Sequence, residues 1–229
     1  MPRERPRTTE RLAASSPLDG RPRAPGSGII MSRDRVRIIV EIALTVAMAA
    51  VLNLPWFRIR LPINIAGGTI SLNMLPLFVL ALRRGLVPGL VAGALYGMVD
   101  LLFDPFVVHP IQFLLDYPVA YALCGLAGLG SGPWHRAMER ETLAHAEWVA
   151  VPYLVLGAAG RLAAHWLSGL VFFAQNAPAG QPIWLYSLMY NASYVLPSLV
   201  MCVLGTLAVL PVLERAVPST SMRPGIGAS

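Results

Sequence analysis

Lysine is absent from this chain: all 18 basic residues are arginine. A Walker A loop needs Gly-Lys-[Ser/Thr] to hold nucleotide phosphates, so the chain cannot hydrolyse ATP through a P-loop of its own. Schiff-base chemistry, which needs a lysine amine, is excluded as well. Charge of either sign is scarce: 13% of the 229 residues are charged, against about 25% in a soluble domain. Cysteine is limited to Cys124 and Cys202. Each stands alone in an apolar run without metal-site spacing, and both read as small packing residues of helices. No His-Glu-x-x-His, no Ser-His-Asp order and no phosphotransferase pattern occurs. No catalytic site, metal site or cofactor is therefore expected, and the chain does not read as an enzyme.

What is abundant is apolar sequence. Hydrophobic residues make up 55% of the chain, gathered in long runs without the alternation of barrel strands. Six runs stand out, at 37–55, 69–83, 86–103, 109–130, 148–173 and 184–212. A membrane-spanning helix needs about 20 residues; the second run is short for that and the sixth long. The stretch Leu61–Ile70, with Pro62, Gly67 and Gly68, reads as a loop that dips into the protein where lipid cannot reach it. Residues 1–34 are rich in Arg, Pro, Ser and Gly and lack an apolar face, so a disordered tail is expected there. Met31-Ser-Arg-Asp-Arg looks like a second natural beginning. The membrane domain is expected over 35–213, with a C-terminal tail over 214–229.

Arginine orients the spans. Nine lie in the first 37 residues, and Arg83, Arg84, Arg136, Arg140, Arg215 and Arg223 fall in the same alternate segments. The other segments hold only Arg58 and Arg60. The positive-inside rule then gives an all-α polytopic protein of six transmembrane helices, both termini cytoplasmic, in a prokaryotic cell membrane. The net charge of +6 belongs to this topology and does not point to nucleic acid. Trp56, Trp134, Trp148 and Trp184 fall near expected helix ends, where interfacial aromatics anchor spans. Gly85, Gly89, Gly93 and Gly97 recur every four residues in the third span, which suits close helix packing inside the protein. Ala43 and Ala47 form an Ala-x-x-x-Ala seam on the first span, which suits either internal packing or a partner helix.

The fourth span, entered from outside, carries Asp116 and Tyr117 about 10 Å below the outer surface at ~1.5 Å per residue. A carboxylate at membrane depth costs about 2.5–3.5 kcal/mol on insertion scales and marks a functional site by default. His165, Ser168 and Gly169 share one face of the outer half of the fifth span, with Phe172 and Phe173 a turn further and Arg161 deeper. Tyr186, Tyr190 and Asn191 open the sixth. Three helices thus bring polar and aromatic side chains to one depth. Such a set suits a small aromatic cation: the carboxylate supplies charge, the rings cation–π contacts, and Gly169 room for a flat ligand. Three plainer readings stand beside it. Asp116 pairs internally with Arg161, His165 is a satisfied core histidine, and Tyr186 and Tyr190 belong to an aromatic belt.

Several stretches resemble the thiamine-specific substrate-binding (S) components of energy-coupling factor (ECF) vitamin transporters. They are Glu41-Ile-Ala, Leu82-Arg-Arg-Gly-Leu and Phe113-Leu-Leu-Asp-Tyr, together with the register of Arg161, His165 and Gly169 against Tyr186-Ser-Leu and Asn191. The likeness covers about residues 36–212. It implies an S-component bundle that captures thiamine outside and delivers it through a membrane scaffold subunit and two ATPase subunits. Asp116 stands where the family has a glutamate that meets the cationic vitamin. Tyr117, His165, Gly169, Tyr186 and Asn191 stand at pocket positions, and Arg161 stands where the family often has lysine. Ala43 and Ala47 match the surface that docks on the scaffold. Family tryptophans that stack on the ligand align with Phe173 and with a position near Gly67. Other readings are an S component for a thiamine precursor or another vitamin, and a membrane-embedded enzyme built on Asp100, Asp104, Asp116 or His165. A structural membrane protein is a further one.

Overall fold

Backbone in hydrocarbon has to satisfy its own hydrogen bonds, so long apolar runs fold as helices. In the computed structural model, which describes residues 33–61, 68–103, 105–140 and 142–218, the six runs form six helices. They are α1 (Arg33–Leu52), α2 (Met74–Arg84), α3 (Leu86–Asp100), α4 (Pro110–Arg140), α5 (Leu143–Phe172) and α6 (Ile183–Ala216). Between α1 and α2 a short ribbon pairs β1 (Arg58–Ile59) antiparallel with β2 (Ile70–Ser71), Arg58 facing Ser71. The expected disordered tail lies outside the described residues up to 32, and Arg33 and Asp34 already belong to α1. The centre of the expected dipping loop (62–67) and the candidate Asp104 also lie outside them.

Among the described residues, α4, α5 and α6 are each long and apolar enough to cross a membrane. The short second run has a different solution. Helix α2 has 11 residues, about 16 Å at ~1.5 Å per residue, and its neighbours wrap it. Met74, Leu77, Phe78, Ala81 and Leu82 are fully buried and Leu80 is 2% exposed. A helix clad in protein has no need to match the thickness of the bilayer.

Helix α4 runs ten residues beyond the expected end at 130. Its course is not uniform: a π-helical turn spans Leu115–Val119 and a 3₁₀ stretch spans Gly125–Gly130. Pro118 supplies no N–H to the ladder, which loosens the helix at that turn. Glycines usually end a helix; here they let it continue pressed against α3. A Cβ added at Gly93 would stand 2.1 Å from the Tyr121 carbonyl oxygen, and one at Gly97 2.3 Å from that of Tyr117. Reciprocally, Gly125 meets the Leu90 nitrogen and Gly128 the Gly85 carbonyl carbon, at 2.3 and 2.4 Å from such a Cβ. The glycine ladder is an internal seam in which two backbones touch. Gly85, at φ +91°, makes the turn from α2 into α3.

At the arginine-rich end, buried Arg83 pairs with buried Glu214 at 3.2 Å, and His135 approaches the same carboxylate at 3.6 Å. Arg84 grips Glu41 with two nitrogens, at 2.5 and 2.6 Å. Arg37, at the start of α1, donates to the Pro218 carbonyl beyond α6 at 3.4 Å. Both ends of the bundle's chain therefore meet at one face, as an even number of crossings requires. Trp56, Trp148 and Trp184 are 85%, 76% and 53% exposed, in keeping with interfacial anchoring. Trp134 is not an anchor: it is fully buried, because α4 carries on past it into the packed inner end.

Replacing Gly93 by alanine has to push α3 off the α4 backbone. We expect Gly93→Ala to destabilise the detergent-solubilised protein by about 1–3 kcal/mol, the usual cost of overpacking. Gly132→Ala, whose nearest neighbour is the flexible tip of Arg136 at 3.3 Å, should leave the thermal midpoint unchanged. Equal midpoints for the two variants would contradict the backbone seam.

Candidate functional site

The alternation of the helices brings the C-terminal ends of α1, α3 and α5 and the N-terminal ends of α2, α4 and α6 to the face opposite the arginine clamp. There side chains of α1, α3, α4, α5 and α6 and of the strand ribbon line a cavity, partly open to solvent. Asp116, Tyr117, Arg161, His165, Gly169, Phe173, Tyr186 and Asn191 all line it. Concave sites with apolar walls and a few placed polar groups suit small organic ligands.

Asp116 is held by three donors. Gln112, one turn earlier in α4, donates from Nε2 to Oδ2 at 2.7 Å, and the Ser168 hydroxyl donates to the same oxygen at 2.7 Å. His165 Nδ1 lies 3.1 Å from Oδ1. The π-helical turn that contains Asp116 and Tyr117 sets both neighbours on the cavity wall. Tyr117 is fixed in turn, its hydroxyl accepting from the Phe106 amide at 2.9 Å.

Arg161 forms the floor. Its Nε donates to His165 Nε2 at 3.3 Å, NH2 to the Tyr121 hydroxyl at 3.0 Å and NH1 to Asn73 Oδ1 at 3.4 Å. Its guanidinium also lies over the Tyr121 ring, 4.3 Å from the centroid, a cation–π contact in a desolvated place. The internal Asp116–Arg161 pair is not formed; His165 stands between the two. Asn73 donates onward to the hydroxyls of Tyr96 and Tyr121, at 3.1 and 2.9 Å. Both tyrosines reach Asp100, Tyr96 at 3.1 Å, and Asn53 of α1 donates to the same carboxylate at 2.6 Å.

The walls are aromatic. Phe106 and Phe173 pair at 5.8 Å, Tyr186 and Tyr190 at 5.9 Å, and Tyr190 and Tyr194 at 6.3 Å. Tyr194 donates to Asn191 Oδ1 at 2.6 Å, while Asn191 Nδ2 donates to the Ser187 carbonyl at 2.8 Å. Asn191 thus braces the wall while lining it. Phe172 turns away and stacks on His109 at 5.1 Å. Trp56 projects outward and lines none of the cavity.

One expectation changes. The space beside Gly169 is taken by protein: a Cβ there would stand 2.1 Å from Ser187 Oγ, so this glycine serves the approach of α5 to α6. Asp100, at the end of α3, lines the cavity inside a network of three donors. Gln112 was missed although its i, i+4 relation to Asp116 marks it. Asn53, Phe106 and Tyr194 join the site through tertiary contacts that leave no spacing signal.

The arrangement presents a carboxylate held by three side chains, set among rings. It favours a flat cation of small size.

Comparison with known proteins gives the same direction. A family model described as thiamine transporter protein matches residues 39–219. The chain is 38% identical to a thiamine transporter, ThiT, of Bacillus subtilis (strain 168), over 75% of this chain and 88% of that protein. It is 33% identical to a ThiT of Lacticaseibacillus paracasei over 79% and 88%. A solved structure of ThiT from Listeria monocytogenes superposes with a TM-score of 0.66 at 25% identity, covering 80% of this chain and 96% of that one.

The Gly169 contact can be tested by a pair of substitutions. Gly169→Ala should lower the thermal midpoint, and adding Ser187→Ala should recover part of the loss, because it removes the atom in the way. Additive losses in the double variant would show that the two residues do not share the space.

Proposed function

Because this chain belongs to the thiamine transporter protein family, we propose that its outer cavity captures thiamine and that it is the substrate-binding component of an ECF importer. It is a multi-pass membrane transporter and not an enzyme. Thiamine combines a permanently cationic thiazolium, a flat aminopyrimidine and a hydroxyethyl tail. The observation that carries the assignment is Asp116, a carboxylate held by three donors on the wall of an aromatic cavity. Its charge meets the cation. Tyr117, Phe173 and Tyr186 supply ring faces, each worth about 0.5–2 kcal/mol against a cation. Asn191 and His165 keep the wall and the carboxylate in place.

Uptake needs energy that this chain cannot extract from ATP, since it has no lysine for a P-loop. The scaffold subunit and two ATPase subunits of an ECF module would supply it. The docking face for the scaffold is the outer side of α1. Ala43 and Ala47 are exposed there, flanked by exposed Val40, Leu44, Met48 and Val51. Small residues on an apolar face let a partner helix come close where lipid removes the hydrophobic drive.

Calorimetric titration of the purified protein with thiamine tests the ligand; binding of a thiamine precursor but not of thiamine would move the assignment to that precursor. Asp116→Asn should weaken thiamine binding about tenfold or more, the equivalent of one lost charge-assisted contact, with the thermal midpoint kept. Unchanged affinity would remove Asp116 from the ligand's contacts. Ala43→Trp or Ala47→Trp should abolish co-purification with the scaffold subunit and leave thiamine affinity as it was; normal assembly would displace the docking face.

A further inference from the structure

A guanidinium can only donate hydrogen bonds, and this fixes where the proton sits on the histidine four residues along α5. Arg161 Nε points at His165 Nε2 at 3.3 Å. To accept, that nitrogen must keep its lone pair, so the ring's single proton sits on Nδ1, 3.1 Å from Asp116 Oδ1. His165 is thereby a neutral donor to the carboxylate. Were the ring to take a second proton on Nε2, it would become an imidazolium paired with Asp116, and the charge meant for the ligand would be cancelled.

We propose that Arg161 is a positioning residue for ligand capture: by occupying His165 Nε2 it bars the second proton and keeps Asp116 free to neutralise a cationic ligand. The proposal rests on the assignment of the cavity as a thiamine site. It does not require Arg161 to touch the ligand: three of the five guanidinium N–H groups already donate to protein acceptors.

The other groups around the ring set the sign. Asp116 of α4 faces it directly, and Asp100 of α3 stands across the Arg161–Tyr121 arm. Both carboxylates favour a protonated ring. Tyr121 of α4, Tyr96 of α3 and Asn73 of α2 are neutral, as are Tyr194 of α6, edge-on at 6.0 Å, and Asn191 beside it. Arg58 contributes a cation to the cavity lining from the strand ribbon. Arg161 opposes protonation twice, by its charge and by filling the acceptor. Removing it leaves two carboxylates drawing a proton onto an open nitrogen. Affinity for a cation should then fall as pH falls through the range in which an ordinary imidazole charges.

The test is thiamine binding by calorimetry from about pH 8 to about pH 5.5. The full-length proteins compared are wild type, Arg161→Lys, Arg161→Met and the Arg161→Met/His165→Gln double variant. Wild type and Arg161→Lys, whose ammonium also only donates, should stay within about twofold across the range, while Arg161→Met loses about tenfold toward acid as the competent fraction drops. Glutamine cannot take up the proton, so the double variant should be flat again. A flat profile in folded Arg161→Met, a wild type as steep as that variant, or a slope that survives in the double variant would overturn the proposal. Should Arg161→Met not fold, nitrogen-15 NMR of the wild-type histidines decides it without ligand, with His165→Gln assigning the signal. At about pH 6, where free imidazole is largely charged, Nδ1 should carry the proton and Nε2 should not. An Nε2–H tautomer or an imidazolium would overturn it. A wild type that binds no thiamine would remove the ligand assignment, and the nitrogen spectrum would still decide the proton's place.

Discussion

A buried guanidinium that can only give hydrogen bonds sets the polarity of the whole outer end. From Arg161 one arm runs through His165 to Asp116, the other through Tyr121 to Asp100. Each intermediate group accepts on the inner side and so must donate on the outer side. The two carboxylates terminate the arms because nothing else in the network can only accept. A cation taken out of water costs several kcal/mol unless it is compensated. Here the compensation comes through two relays and a tyrosine face, not through contact with a carboxylate. The acids are thereby left at the cavity wall, where a ligand can share their charge. A direct Arg161–Asp116 pair would have compensated the cation equally well and closed the site.

That network needs a frame with little play. The α3–α4 seam supplies it: glycines on both sides bring the backbones into contact where Tyr117 and Tyr121 leave α4. Close-packed backbone has few alternative arrangements, so the carbonyls behind Tyr117 and Tyr121 are fixed by contact with α3. The turn at Pro118 does the opposite job at the same place. It relaxes the regular ladder by one step and lets two successive residues, Asp116 and Tyr117, face one cavity. Rigidity on one side of the helix and a local widening on the other together aim the carboxylate.

Much of the site was legible from counting along helices. Asp116, His165 and Tyr186 lie at similar distances from their helix ends, and depth is linear in residue number, so they converge once the chain's orientation is known. Gln112 was legible too, as the polar residue one turn before the carboxylate. Asp100 was not. At the end of an apolar span a carboxylate looks solvated, and the groups that hold it, Asn53 from α1 and Tyr121 from α4, are brought by packing. Gly169 is missing a side chain for a reason that only the neighbour Ser187 reveals. A run of glycines after Cys124 signals the end of a helix in isolation; α3 pressed against it kept α4 going and took Trp134 from the interface into the core. Local periodicity is written in the chain, whereas what fills the space opposite a residue is a property of the assembled bundle.

The short helix α2 has one more consequence. Directly below the cavity floor its buried side chains, Met74, Leu77, Phe78, Leu80 and Leu82, form an apolar plug, and beneath the plug Arg83 and Glu214 lock its far end to α6. The body is a cup and not a tunnel. A solute resting on Arg161 would have to part a hydrophobic core and break a buried ion pair to pass straight through. The cheaper path out of the cavity is its open side.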